Sequence, residues 1–135
     1  MRLFLDANVI FSAARSDSAV RRLLTLLSEE GHCLCVDAYV IEEARRNLTA
    51  KTPLGLAWLE SWQSRLEWHP TRARDWELEQ SLPLVEKDRP VLAAAIRSRC
   101  DILVTGDRTH FGSLFGTAIQ GVQVLSPALV AEALL

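Results

Sequence analysis

A chain of 135 residues with 49% apolar content is long enough to bury a substantial core, and it is expected to form one domain over 1–135 without disulfide or metal staples. The formal charge of −2 excludes a global basic field of the kind that gathers nucleic acid, although local patches are free to differ from the total. Three cysteines, an odd number, exclude a secreted cystine scaffold; with no apolar run of membrane-crossing length and no cleavable leader ahead of Asp6, the expected location is the cytoplasm.

The chain opens on a short apolar strand over 2–5 that runs straight into Asp6. "SDSAVRRLLTLLSEEG" reads as a helix capped by Ser16 or Asp17, with Val20, Leu23, Leu24 and Leu27 at helical spacing and Gly31 as its stop. "HCLCV" is a second strand, whose Cys33 and Cys35 share a face and read as small buried apolar residues rather than half a metal site. Asp37 is placed to cap "AYVIEEARRNLTA", in which Val40, Ala44 and Leu48 form a stripe. Pro53 opens a helix with Trp58, Trp62 and Leu66 on one side, and "LEWHP" is a third strand ended by Pro70. Residues 71–87 are charged, partly helical and interrupted at Pro83. "DRPVLAAAIRSRC" then carries proline at an early helical position and a face of small residues. "DILVT" and "GVQVLS" are the fourth and fifth strands, and Pro127 begins a closing helix. Strands alternating with helices along the whole length predict an α/β three-layer sandwich around a mainly parallel sheet of about five strands.

In an open parallel sheet, ligands bind at the carboxyl ends of the strands. Asp6 and Asp107 stand at two such ends, Asp37 and Glu43 follow the second strand, and Asp88 opens the helix leading to the strand that carries Asp107. Asp37 reads as a helix cap, Asp88 equally as a cap or as part of a cluster. Converging carboxylates raise one another's pKa and resist desolvation, and a hard divalent cation relieves that cost. Mg²⁺ or Mn²⁺, which prefer oxygen ligands and retain waters, are therefore the expected cofactors.

The stretches "FLDANVIFSA", "VDAYVIEEARRNL", "DRPVLAAAIRSRCDILVTGDRTHF" and "VQVLSPALV" together resemble the PIN domain, the nuclease family that includes the VapC-like toxins. The resemblance runs over nearly the whole chain in order. It implies that Asp6, Asp88 and Asp107 hold the metal, that Glu43 (with Glu42 the neighbouring alternative) binds it through water or orients the attacking water, and that Asn8 and Thr105 support the site. "DAN" stands where "DTN" is commoner, and Arg89-Pro90 follows Asp88 where many members are apolar; neither change removes an acid. The implied activity is metal-dependent hydrolysis of phosphodiesters in RNA. The implied partners are RNA, an antitoxin protein and a second copy of the chain, with no membrane.

An acidic pocket repels a polyanion, so cations are needed at its rim. Arg108 is the first candidate for a phosphate contact, with Arg89, and Arg15, Arg45, Arg46, Arg72 and Arg74 lie near motif segments. His110 reads as a loop histidine without a catalytic task. Trp58 and Trp62 are expected to pack against another chain rather than stack on bases. A receiver domain is a poor alternative, since Lys51 and Lys87 are the chain's lysines and neither follows a strand. A haloacid-dehalogenase-like phosphatase would carry an acid where Asn8 stands. A non-catalytic RNA-binding or protein-interaction scaffold of the same fold is the remaining alternative.

Overall fold

The computed structural model describes residues 1–70 and 74–135. Their strands are β1 (Arg2–Leu5), β2 (Cys33–Asp37), β3 (Glu67–His69), β4 (Ile102–Val104), β5 (Ala118–Ile119) and β6 (Val122–Leu125), in the order β3-β2-β1-β4-β6-β5. Every pairing is parallel except β5 with β6. The sheet thus holds one more strand than expected. Gln120 and Gly121 both adopt positive φ, 49° and 85°, and such a two-residue turn folds β5 back on β6 as a hairpin. The sequence signal for that turn is weak because glutamine rarely takes this conformation.

The helices are α1 (Ala7–Arg15), α2 (Ala19–Glu29), α3 (Ala38–Lys51), α4 (Gly55–Trp62), α5 (Trp76–Gln80), α6 (Arg89–Arg97), α7 (Arg108–Phe111) and α8 (Pro127–Leu134). The chain winds outward from β1 to β2 to β3, then crosses back to β4. Right-handed crossovers consequently put α1–α4 on one face of the sheet and α5–α6 on the other. The result is the expected three-layer α/β sandwich. Buried side chains from both layers and the sheet, among them Phe4, Leu27, Leu48, Leu59, Leu92 and Phe111, form one continuous apolar cluster. No helix among the described residues is long and apolar enough to cross a membrane.

Three expectations change. Helix α1 is additional to the expected elements: it starts directly after β1 with Asp6 as its cap, burying Ala7, Val9, Ile10, Ala13 and Ala14 while Asn8, Ser12 and Arg15 lie on its more open side. Helix α2 is capped by Ser18, whose hydroxyl accepts from the Arg21 amide at 3.3 Å; Ser16 and Asp17 belong to the link from α1. Trp58 and Trp62 stack on each other at 4.9 Å; Trp62, 6% exposed, packs within the chain, while Trp58 is half-buried. The guanidinium of Arg21 lies over Trp58 and that of Arg65 over Trp62.

Candidate metal centre

The winding of the sheet reverses between β1 and β4, and this switch point is where an open α/β sheet offers a crevice. Asp6 follows β1 and Asp107 comes shortly after β4, so the topology brings both acids to that crevice. The Asp6 amide donates to the Val104 carbonyl at 3.0 Å, extending the β1–β4 pairing to the acid itself.

Asp6 is 8% exposed and held from three sides. Its Oδ1 accepts from the Ala7 amide at 2.7 Å; its Oδ2 accepts from the Thr105 hydroxyl at 2.9 Å and from Asn8 Nδ2 at 3.1 Å. Asn8 Oδ1 in turn accepts from the Gly106 amide at 2.8 Å, and Thr105 Oγ1 accepts from the Asp107 amide at 3.2 Å. Asn8 and Thr105 therefore tie the ends of β1 and β4 together through their bonds to Asp6, Gly106 and the Asp107 amide. Burial pushes the Asp6 carboxyl up to about 6; these hydrogen bonds oppose the rise and the nearby Glu43 charge adds to it. Thr105→Val keeps the shape but removes the hydroxyl, leaving buried partners unmet at a cost of about 1–3 kcal/mol. It is expected to lower the denaturation midpoint and, through loosened acids, to reduce any activity of the site by about 10-fold to 100-fold.

Asp107 caps α7, its Oδ1 accepting from the His110 amide at 3.1 Å, while His110 Nδ1 donates to Oδ2 at 2.7 Å. Burial pushes this carboxyl up, but the His110 amide and imidazole outweigh it and hold it below its ordinary value. The same Nδ1 lies 3.4 Å from Asp88 Oδ2. Asp88 precedes α6 with helical backbone angles, φ −97° and ψ −13°, so its side chain makes no capping bond. Its Oδ2 is buried and accepts no hydrogen bond among the described residues. An orphaned buried carboxylate oxygen is costly, and a cation is the partner that fits it.

Glu43 completes the group. The inward face of α3 buries Val40, Ala44 and Leu48 and turns Glu43 toward the crevice, whereas Glu42 is exposed beside Arg45 and Arg46 in a separate shallow groove. Asp6, Glu43, Asp88 and Asp107 all line one pocket of about 380 Å³, together with Asn8 and His110. Four carboxylates and no sulfur make an oxygen donor set that suits Mg²⁺ or Mn²⁺.

The cations are less as expected. Arg108 is exposed beyond Asp107 and Arg89 donates to the Leu84 carbonyl at 2.8 Å; neither lines the pocket. Arg45 pairs with Glu60 at 3.8 Å, Arg15 lies over Phe11, and Arg74 pairs with Glu79; Arg72 falls outside the described residues. The pocket walls instead carry Lys51 and Lys87, and neither ammonium lies within 4.0 Å of a carboxylate among the described residues. Lys87 and Tyr39 also line an adjoining cleft of about 370 Å³. His110 and the two lysines are thus pocket residues that the sequence reading misses. For Lys87, its place beside Asp88 is the available signal; Lys51, a little over two turns after Glu43, has none.

Fold and pocket together define a doubly wound α/β protein with an acidic pocket at its switch point, where Asp88, Asp107 and His110 lie within ligand distance of one another. Residues 2–109 match the family model of the PIN domain, and the chain belongs to that family. Its fold is similar to that in the crystal structure of VapBC2 from Rickettsia felis bound to a DNA fragment from their promoter, with a TM-score of 0.69 and 17% identity over 93% of this chain and 98% of that one. DNA-bound VapBC from Salmonella typhimurium gives a TM-score of 0.66 and 17% identity over 94% of this chain and 98% of that one. No curated protein matches the chain by sequence.

Proposed function

We propose that the chain is a divalent-metal-dependent endoribonuclease, acting as the toxin of a toxin–antitoxin pair. The observation that carries this reading is the gathering of four carboxylates on one pocket, in which the buried Asp88 Oδ2 accepts no hydrogen bond among the described residues and faces only the His110 imidazole, at 3.4 Å. Asp6, Asp88 and Asp107 would hold Mg²⁺ or Mn²⁺. The bound cation supplies Lewis-acid polarisation of the scissile phosphate and offsets the charge of the acids.

The protein's own residues do the rest. Glu43 makes no hydrogen bond or ion pair among the described residues and is available to orient the attacking water and accept its proton. Asn8 and Thr105 keep the acids in place, as their bonds to Asp6, Gly106 and Asp107 allow. The His110 ring is held against Asp107 through Nδ1, which leaves Nε2 as its free edge for a substrate contact. Lys51 and Lys87 line the pocket and are available to contact the substrate's phosphates, with Arg108 and Arg89 as further candidates outside it. An antitoxin partner is inferred from the family and from the complexes that share the fold.

RNA cleavage by the purified chain is the test, with Mn²⁺ or Mg²⁺ against EDTA, beside Asp6→Asn and Asp107→Asn. Cutting that requires the metal and both acids supports the reading. Cutting that survives both substitutions, or no cutting together with no Mn²⁺-induced rise in melting temperature, overturns it; the second outcome leaves a scaffold of the same fold.

A further inference from the structure

At the opposite end of the sheet, away from the acidic pocket, three parallel strands begin: β1 at Arg2, β2 at Cys33 and β3 at Glu67. The register pairs Arg2 with Cys33 and Cys35 with Glu67, which puts these four side chains on one face. Cys33 Sγ lies 3.8 Å from Cys35 Sγ, and Cys35 Sγ lies 3.5 Å from Glu67 Oε2. The three ligand atoms are all within 4.8 Å of one another.

We propose that Cys33, Cys35 and Glu67 form a second metal site, for a soft divalent cation of the zinc class, which staples the edge strand β3 to β2. The separations favour this over casual packing. Tetrahedral zinc with sulfur at about 2.3 Å and oxygen at about 2.0 Å spaces two sulfurs about 3.8 Å apart and a sulfur and an oxygen about 3.5 Å apart. The Cys33–Cys35 and Cys35–Glu67 edges of the cluster meet those values before any ion is bound. His69 Nε2 stands 2.6 Å from the same Glu67 oxygen and is the nearest group for a fourth position.

The chemistry of the surroundings agrees. Two thiolates and a carboxylate balance a divalent cation and the Arg2 guanidinium together. Arg2 already pairs with Glu67 at 2.7 Å and points at Cys33 Sγ from 3.8 Å, the place of an outer residue that donates to ligands. Cys33 is half-buried and Glu67 exposed, so solvent reaches the cluster. Sulfur donors separate this site from the acidic pocket, and the two are independent: the inference does not rest on nuclease activity.

The test is a Co²⁺ titration of the reduced full-length protein in excess Mg²⁺, read by near-ultraviolet absorption. A sulfur-to-cobalt charge-transfer band that saturates at one equivalent and is displaced by Zn²⁺ is expected. Cys33→Ser should at least halve the band and weaken binding, Cys33→Ser with Cys35→Ser should abolish it, Glu67→Gln should weaken binding by about 10-fold or more, and Asp6→Asn should leave it intact. Absence of the band in the wild-type protein overturns the proposal, as does a band that is undiminished in Cys33→Ser or persists in the double variant. Circular dichroism of each variant separates loss of ligand from loss of fold.

Discussion

Asp6→Asn and Asp107→Asn are each expected to cut RNA cleavage by about 10³-fold, since each removes one charge from the set that would hold the cation. Their effects on the metal-free protein should run in opposite directions. The Asp6 carboxyl is held at about 6 against an ordinary 3.8, so its ionised form costs the fold about 3 kcal/mol. That cost is absent below pH 3.8 and complete above about 6. An asparagine removes the charge but spoils one of the accepted hydrogen bonds, worth about 1 kcal/mol. The net gain of about 2 kcal/mol should raise the melting temperature in EDTA at pH 7.5 by about 5 °C. Asp107 lies below its ordinary value, so its ionised form stabilises the fold, and that contribution is lost as pH falls through its folded value. In Asp107→Asn the new amide keeps a capping oxygen but loses the charge facing His110, so that variant should melt somewhat lower than wild type. Adding Mn²⁺ should raise the wild-type midpoint and leave both variants nearly unmoved. A lower midpoint for Asp6→Asn in EDTA would show that its burial is not costly, and the case for a cation there would weaken.

Gly55→Val should destabilise the protein by about 3 kcal/mol, although it adds only apolar atoms. By helix propensity alone, replacing the glycine that opens α4 would gain up to about 1 kcal/mol. The packing reverses that sign. A Cβ at this position would stand 2.8 Å from the Ala14 carbonyl oxygen and 2.8 Å from Leu48 Cδ2. The first is backbone and cannot turn aside, and Leu48 is fully buried. Helices α1, α3 and α4 meet at this point, so strain spreads to the layer that carries Glu43. Urea denaturation should show a lowered midpoint with an unchanged slope. A midpoint at or above wild type would mean that α4 shifts freely on α1.

Several features of this protein are legible in the residues because they depend on local order. Asp6 and Asp107 follow apolar strands, Asp37 caps the helix after its strand, and the alternation of strands with helices defines a doubly wound sheet. Hydrophobic period and helix punctuation act over a few residues, so a linear reading recovers them. Helix α1 escapes such a reading because it follows β1 directly, so its apolar residues read on as part of the strand's run. The rest requires the chain's path. Whether Glu42 or Glu43 faces the crevice depends on which side of α3 is covered, and whether Asp88 caps α6 depends on a backbone turn that no residue type announces. The closeness of Ala14 to Gly55, the presence of Lys51 and Lys87 on one wall, and the meeting of Cys35 with Glu67 join segments far apart in sequence. Local residue order is enough for most of the strands and helices, though not for α1 or β5, and for the acids that end β1 and follow β4. The tertiary structure alone decided which side chains converge, because convergence is set by crossover direction and strand register rather than by any local preference.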